Sequence, residues 1–144
     1  MDLRTITDNF IASPQIAAED VPTIAAQGIT TIINNRPDDE APGQPSGAQI
    51  EQAARDCGLS YVAIPVTHAG FSMPQVEAMA AALGDADGKV LAFCRSGTRS
   101  TLLWAMAEAK RGTDLALIAR SAASGGYDVS VVAGTIEALA SGRA

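Results

Sequence analysis

Short apolar runs alternate along this chain with amphipathic stretches, and glycine or proline stands at most of the changes. Residues 29–33 form a compact run rich in β-branched side chains, the pattern of a strand covered on both faces. Residues 61–64, stopped by Pro65, and residues 89–93 read the same way. Between these runs the apolar spacing turns helical. Val21, Ile24 and Ala25 mark a helix over 17–27 that stops at Gly28. A short helix over 50–57 closes at Gly58, and one over 73–83 carries Pro74 in its first turn, where proline is tolerated. Further helices are expected over 99–111, ended by Gly112, from a cap at Asp114 to about 123, and over 129–139 after a Gly125-Gly126 hinge. Residues 1–12 read as a short strand pair or an extended entry, broken by Ser13-Pro14. Strands that alternate with helices predict an α/β fold of three layers, a mostly parallel central sheet with helices on both faces.

The 144 residues fit one domain, spanning 1–144. A chain of this length buries roughly 70% of the surface it exposes when unfolded and needs no staple. The charge is −6 and the sequence pI about 4.6. That excludes nucleic acid, which demands clustered Lys and Arg, and an anionic membrane surface. Any anion must then be held by positive potential confined to a pocket. Two cysteines, Cys57 and Cys94, make no disulfide scaffold. No run approaches the roughly 18 apolar residues of a membrane span, and no signal-peptide pattern follows Met1, so a cytoplasmic setting is expected.

The chemistry concentrates in Cys94-Arg95-Ser96-Gly97-Thr98-Arg99-Ser100. Ligands in open α/β sheets bind beyond the carboxyl ends of strands, and Cys94 directly follows the strand over 89–93. The loop leads into a helix, whose N-terminus offers backbone N–H groups and a positive dipole end to an anion. Gly97 permits positive φ and lets the loop curl. Arg99 can close the ring with a bidentate guanidinium. Thr98 or Ser100 can hydrogen-bond the sulfur. Each feature favours a thiolate at Cys94, and a nucleophilic role follows. Arg95, Ser96, Gly97, Thr98 and Ser100 are the expected anion-binding positions, with no metal and no cofactor.

The loop resembles those of the cysteine-dependent phosphatases and the rhodaneses. The wider chain is similar to the bacterial beta-lactamase-hydrolase-like family with a phosphatase-like domain. The resemblance rests on residues 30–38 (TTIINNRPD), Gln44-Pro45-Ser46, residues 61–66 (YVAIPV), and the Cys94 loop followed by Leu103-Trp104. It implies a dual-specificity-phosphatase-like fold. The phosphatases it resembles separate Cys and Arg by five residues and the rhodaneses by four; here Arg95-Ser96-Gly97-Thr98 makes four. The smaller ring favours sulfur transfer through a Cys94 persulfide, with hydrolysis of phosphate monoesters through a phosphocysteine as the alternative. A non-catalytic anion-binding module is the third possibility. The expected partner is a small anionic or persulfide substrate, or a phosphoprotein; the sequence leaves oligomeric state open.

A phosphatase also needs an acid for the leaving alkoxide, and the resemblance puts it on the loop after residues 61–64. Residues 67–72 hold no Asp or Glu. His68, the single histidine, lies there as a candidate acid or substrate-orienting group. Sulfur transfer asks less of an acid, because thiolates leave well. Arg36, on the loop over 34–47, is either a further anion contact or a surface arginine paired with Asp38 or Asp39. Cys57 reads as a structural thiol and Trp104 as core.

Overall fold

The computed structural model describes residues 1–142. Five strands form one sheet in the order β1-β2-β5-β3-β4. They are β1 (Arg4–Thr7), β2 (Phe10–Ser13), β3 (Ile29–Asn34), β4 (Ser60–Ala63) and β5 (Lys89–Phe93). Only β1 runs antiparallel; β2, β5, β3 and β4 are parallel to one another, so their carboxyl ends share one edge. β5 lies at the centre. Its side chains alternate, Val90 and Ala92 entering one core and Leu91 and Phe93 the other.

Helices α1 (Val21–Ala26) and α2 (Gly47–Asp56) cover the face that holds Leu91 and Phe93. Helices α3 (Met73–Asp85), α4 (Thr98–Lys110), α5 (Leu115–Ser124) and α6 (Ala133–Ala140) cover the other. The three-layer arrangement expected from the sequence is therefore present. α4 is the most enclosed helix, with Leu103, Ala105, Ala107 and Ala109 fully buried. Its alanines let neighbouring helices approach closely. Trp104 is core as expected, its ring stacked on Phe10 at 5.4 Å between centroids.

Several bounds differ from the sequence reading for local reasons. The segment before Gly28 divides into a 3-10 turn, Ala18–Asp20, and the short α1, whose first turn accepts Pro22. α2 begins at Gly47 and not at residue 50, because the Ser46 hydroxyl caps Gln49 N–H while the Gln49 side chain returns to Ser46 N–H. A 3-10 turn, Ser130–Val132, precedes α6. Cys57 caps α2 only half-buried against the α1/α2 core, less enclosed than the buried structural thiol expected. Among the described residues no helix is long and apolar enough to cross a membrane.

Candidate active site

The parallel ladder continues past the strand ends and builds the floor of the site. Cys94 N–H donates to Ser13 O at 3.4 Å, Asn35 N–H to Phe93 O at 2.8 Å, and Val66 N–H to Asn35 O at 3.0 Å. Three loops, after β5, β3 and β4, thus meet where Cys94 begins. Cys94 is buried, with 1% exposure. Gly97 caps α4 with φ +91°, in the left-handed region open to glycine, and its N–H donates to Cys94 Sγ at 3.1 Å. The loop is held from the helix side by the Thr101 hydroxyl, which donates to Gly97 O at 2.9 Å.

Neither hydroxyl expected on the sulfur is there. Ser100 is buried, and its hydroxyl donates to Asn35 Oδ1 at 2.7 Å. Asn35 donates in turn to Ile64 O at 2.9 Å. This ties the α4 N-terminus to the loops after β3 and β4. Thr98 is exposed, and its hydroxyl accepts from Ser96 Oγ at 3.0 Å. Arg95 and Ser96 are exposed at the loop surface.

Arg99 meets a partner that the sequence did not reveal. Its Nη1 donates to Glu40 Oε2 and to Val66 O, both at 2.7 Å, and its Nη2 to Glu40 Oε1 at 2.8 Å. Glu40 also accepts from Arg36 Nε at 3.0 Å, while Arg36 Nη1 donates to Gln15 Oε1 at 3.1 Å. Arg36 is thus neither paired with Asp38 or Asp39 nor on the surface; it is 6% exposed behind Glu40. A guanidinium has five N–H donors in a fixed fork. Glu40 takes the end-on edge of Arg99 and Val66 takes the outer Nη1 hydrogen. The remaining donors, Nε–H and the second Nη2 hydrogen, go to neither Glu40 nor Val66; the guanidinium also hydrogen-bonds Cys94, and donors on that edge can grip two oxygens of one anion held over the sulfur.

The charges settle accordingly. The hydrogen bond from Arg99, joined by that from Arg36, holds Glu40 down to about 2 against the cost of its burial. Arg99 is raised, chiefly by Glu40 and further by its proximity to Cys94. Glu40 is therefore a carboxylate at neutral pH and no proton donor. His68 lies exposed two residues beyond Val66 and makes no side-chain hydrogen bond among the described residues. No His, Cys, Asp and Glu cluster among them could hold a metal ion.

Of the expected site residues, the fold gathers Cys94, Gly97, Arg99 and Arg36 about one point and leaves His68, Arg95, Ser96 and Thr98 at its exposed margin. Glu40, Asn35 and Gln15 were missed. Glu40 lies 59 positions from Arg99 and Asn35 lies 65 from Ser100, so no local spacing links them. The acids in the loop over 34–47 were the only available signal.

Known proteins resemble the chain in sequence and in fold. The chain is 40% identical over 107 residues to a beta-lactamase hydrolase-like protein of Agrobacterium fabrum, a match covering 74% of this chain. It spans about a quarter of the length of that relative, since the match covers 25% of it. A candidate phosphatase from Neisseria meningitidis, solved as a crystal structure, superimposes with a TM-score of 0.82 at 34% identity, over 96% of this chain and 99% of that one. P. aeruginosa TpbA, crystallised as a cysteine-to-serine variant with phosphotyrosine, shares the fold at 19% identity and a TM-score of 0.66, over 99% of this chain and 90% of that one. The profile of the beta-lactamase hydrolase-like protein, phosphatase-like domain, matches residues 2–111, and the chain belongs to that family.

Proposed function

We propose that this protein hydrolyses phosphate monoesters through a phosphocysteine at Cys94, with aryl phosphates as its better substrates. The observation that carries the reading is the Arg99 guanidinium, anchored by Glu40 and hydrogen-bonded to a cysteine whose sulfur also accepts Gly97 N–H at 3.1 Å. The phosphatase-like family and the fold of its neighbours support the same reaction class. In the first step Cys94 thiolate attacks phosphorus, the bond from phosphorus to the ester oxygen breaks, and the leaving group departs with the electron pair. Arg99 and the loop N–H groups balance the charge on the equatorial oxygens. Water then cleaves the S–P bond, releasing phosphate and restoring the thiolate.

Glu40 cannot protonate the leaving group, because two arginines hold it ionised. A phenolate leaves without such help, whereas an alkoxide forgoes a factor of about 10² to 10⁴. Aryl phosphates should therefore turn over well ahead of alkyl phosphates. His68→Ala should matter more for phosphate hydrolysis than for sulfur transfer.

A second reading keeps a specific observation in its favour. The four-residue spacing of Cys94 and Arg99 and the lack of a protonated acid both suit sulfur transfer. With thiosulfate, Cys94 would attack the outer sulfur, sulfite would leave with the S–S electron pair, and cyanide would then take the terminal sulfur as thiocyanate. One preparation assayed with an aryl phosphate and with thiosulfate plus cyanide separates the two. Faster phosphate release supports the first reading, and sulfur transfer without phosphate release replaces it with the second. The working partner is a small anionic substrate or a phosphoprotein, met in the cytoplasm.

A further inference from the structure

The anion loop is braced from a part of the chain beyond the matched residues 2–111. The Tyr127 hydroxyl donates to Ser96 O at 3.0 Å. In a trans peptide the C=O of one residue and the N–H of the next point to opposite sides. A carbonyl of Ser96 drawn outward to Tyr127 therefore turns Gly97 N–H inward, where it meets Cys94 Sγ at 3.1 Å. Reversal of this one peptide would present a carbonyl oxygen to the sulfur and to any anion. We propose that Tyr127 is a positioning residue of the active site, whose hydroxyl sets the Ser96–Gly97 peptide so that its N–H faces the nucleophile.

Three further observations agree. A Cβ at position 97 would lie 2.9 Å from Tyr127 Cζ and closer still to its hydroxyl, so the contact requires glycine there. Tyr127 is itself fixed: its N–H donates to Ala122 O at 3.0 Å, past the turn of Gly126 at φ +90°. The Arg4 guanidinium lies 5.3 Å from its ring centroid, while Arg4 Nη1 donates to Gly125 O at 3.3 Å. The ring is 8% exposed, and burial raises the phenol above its usual range, so it remains a donor at neutral pH.

The inference rests on Cys94 being the reacting sulfur, and alkylation reads that sulfur without any substrate, so a failed phosphatase reading leaves the test intact. Tyr127→Phe keeps the ring, its packing and the Arg4 contact. Iodoacetamide should alkylate Cys94 roughly two- to tenfold more slowly in this variant at pH 7, the range expected for one lost hydrogen bond. Cys57 should react as before, Tm should hold, the Gly97 amide resonance should move, and kcat should fall with KM little changed. Unchanged Cys94 alkylation and an unchanged Gly97 amide in folded Tyr127→Phe would overturn the proposal. Should the variant fail to fold, the unaltered protein decides: a Gly97 amide that exchanges slowly with deuterium supports the inward peptide, and exchange at the rate of an exposed loop refutes it.

Discussion

The two ends of β5 are unlike. Its N-terminal end borders a cavity of about 510 Å³ lined by Phe10, Asp87, Trp104, Glu108 and Arg111, among others. Its C-terminal end runs into Cys94, which is almost sealed. The roomy end is lined by no cysteine, and its one acid–base pair is closed on itself. Arg111 Nη1 donates to Glu108 Oε1, and the Thr113 hydroxyl to Glu108 Oε2, each at 2.6 Å. At the tight end the ladder continues past the strands, and Arg99 and Gly97 N–H both turn hydrogen-bond donors toward one sulfur. What marks a site in this fold is hydrogen-bonding capacity aimed at one sulfur at the carboxyl edge of the sheet, more than volume.

That contrast can be broken most severely at Cys94. Cys94→Ser should reduce turnover roughly 10⁴-fold or more with little change in Tm, measured by aryl phosphate hydrolysis and thermal melting. Arg99→Lys comes next. A lysine keeps the charge but loses the fork, and kcat should drop by about 10² to 10³, the scale of one oxyanion donor removed. Retained activity would mean that the fork of Arg99 has no part in the reaction.

Glu40→Gln should act less strongly, since Glu40 orients Arg99 without touching substrate. Loss of a hydrogen bond to a charged group corresponds to roughly a 10- to 100-fold fall in kcat/KM. Its pH signature is more distinctive. The folded-state value, about 2, lies below the ordinary 4.5. The unfolded chain therefore binds the proton first on acidification. Glu40 stabilises the fold fully above about pH 4.5, and this contribution is lost as the pH falls toward about 2. A plot of Tm against pH should fall more steeply across that window in the unaltered protein than in Glu40→Gln. Parallel curves would contradict the triad of Arg36, Glu40 and Arg99. The smallest effect belongs to the other end of β5. Arg111→Gln breaks a partly exposed pair worth about 1 kcal/mol or less and should leave turnover within about twofold.

The sequence carried what is local. Residues 29–33, 61–64 and 89–93 announced strands through their β-branched and apolar runs, and each lies within a residue or so of β3, β4 and β5. The Cys94 loop was legible because strand, cysteine, glycine, arginine and helix follow without a gap. What the sequence hid depends on pairing across the sheet. β3 lies between β5 and β4, so the loop that carries Asn35 and Glu40 and the loop after β4 arrive at Cys94 from separate segments. Ser100 was read as a ligand of sulfur because nothing local indicated that Asn35 would claim it. Arg36 was left between an anion contact and a surface arginine paired with Asp38 or Asp39; Glu40, four residues on, and Gln15, 21 residues back, instead bury it behind the site.

The central claim is that Cys94 carries the phosphoryl group during turnover. The direct measurement is peptide mass spectrometry after acid quench of the enzyme working on an aryl phosphate. The Cys94 peptide should gain one phosphoryl group, absent from the Cys57 peptide and from Cys94→Ser. An unmodified Cys94 peptide during steady phosphate release, or release that persists in Cys94→Ser, would contradict the account.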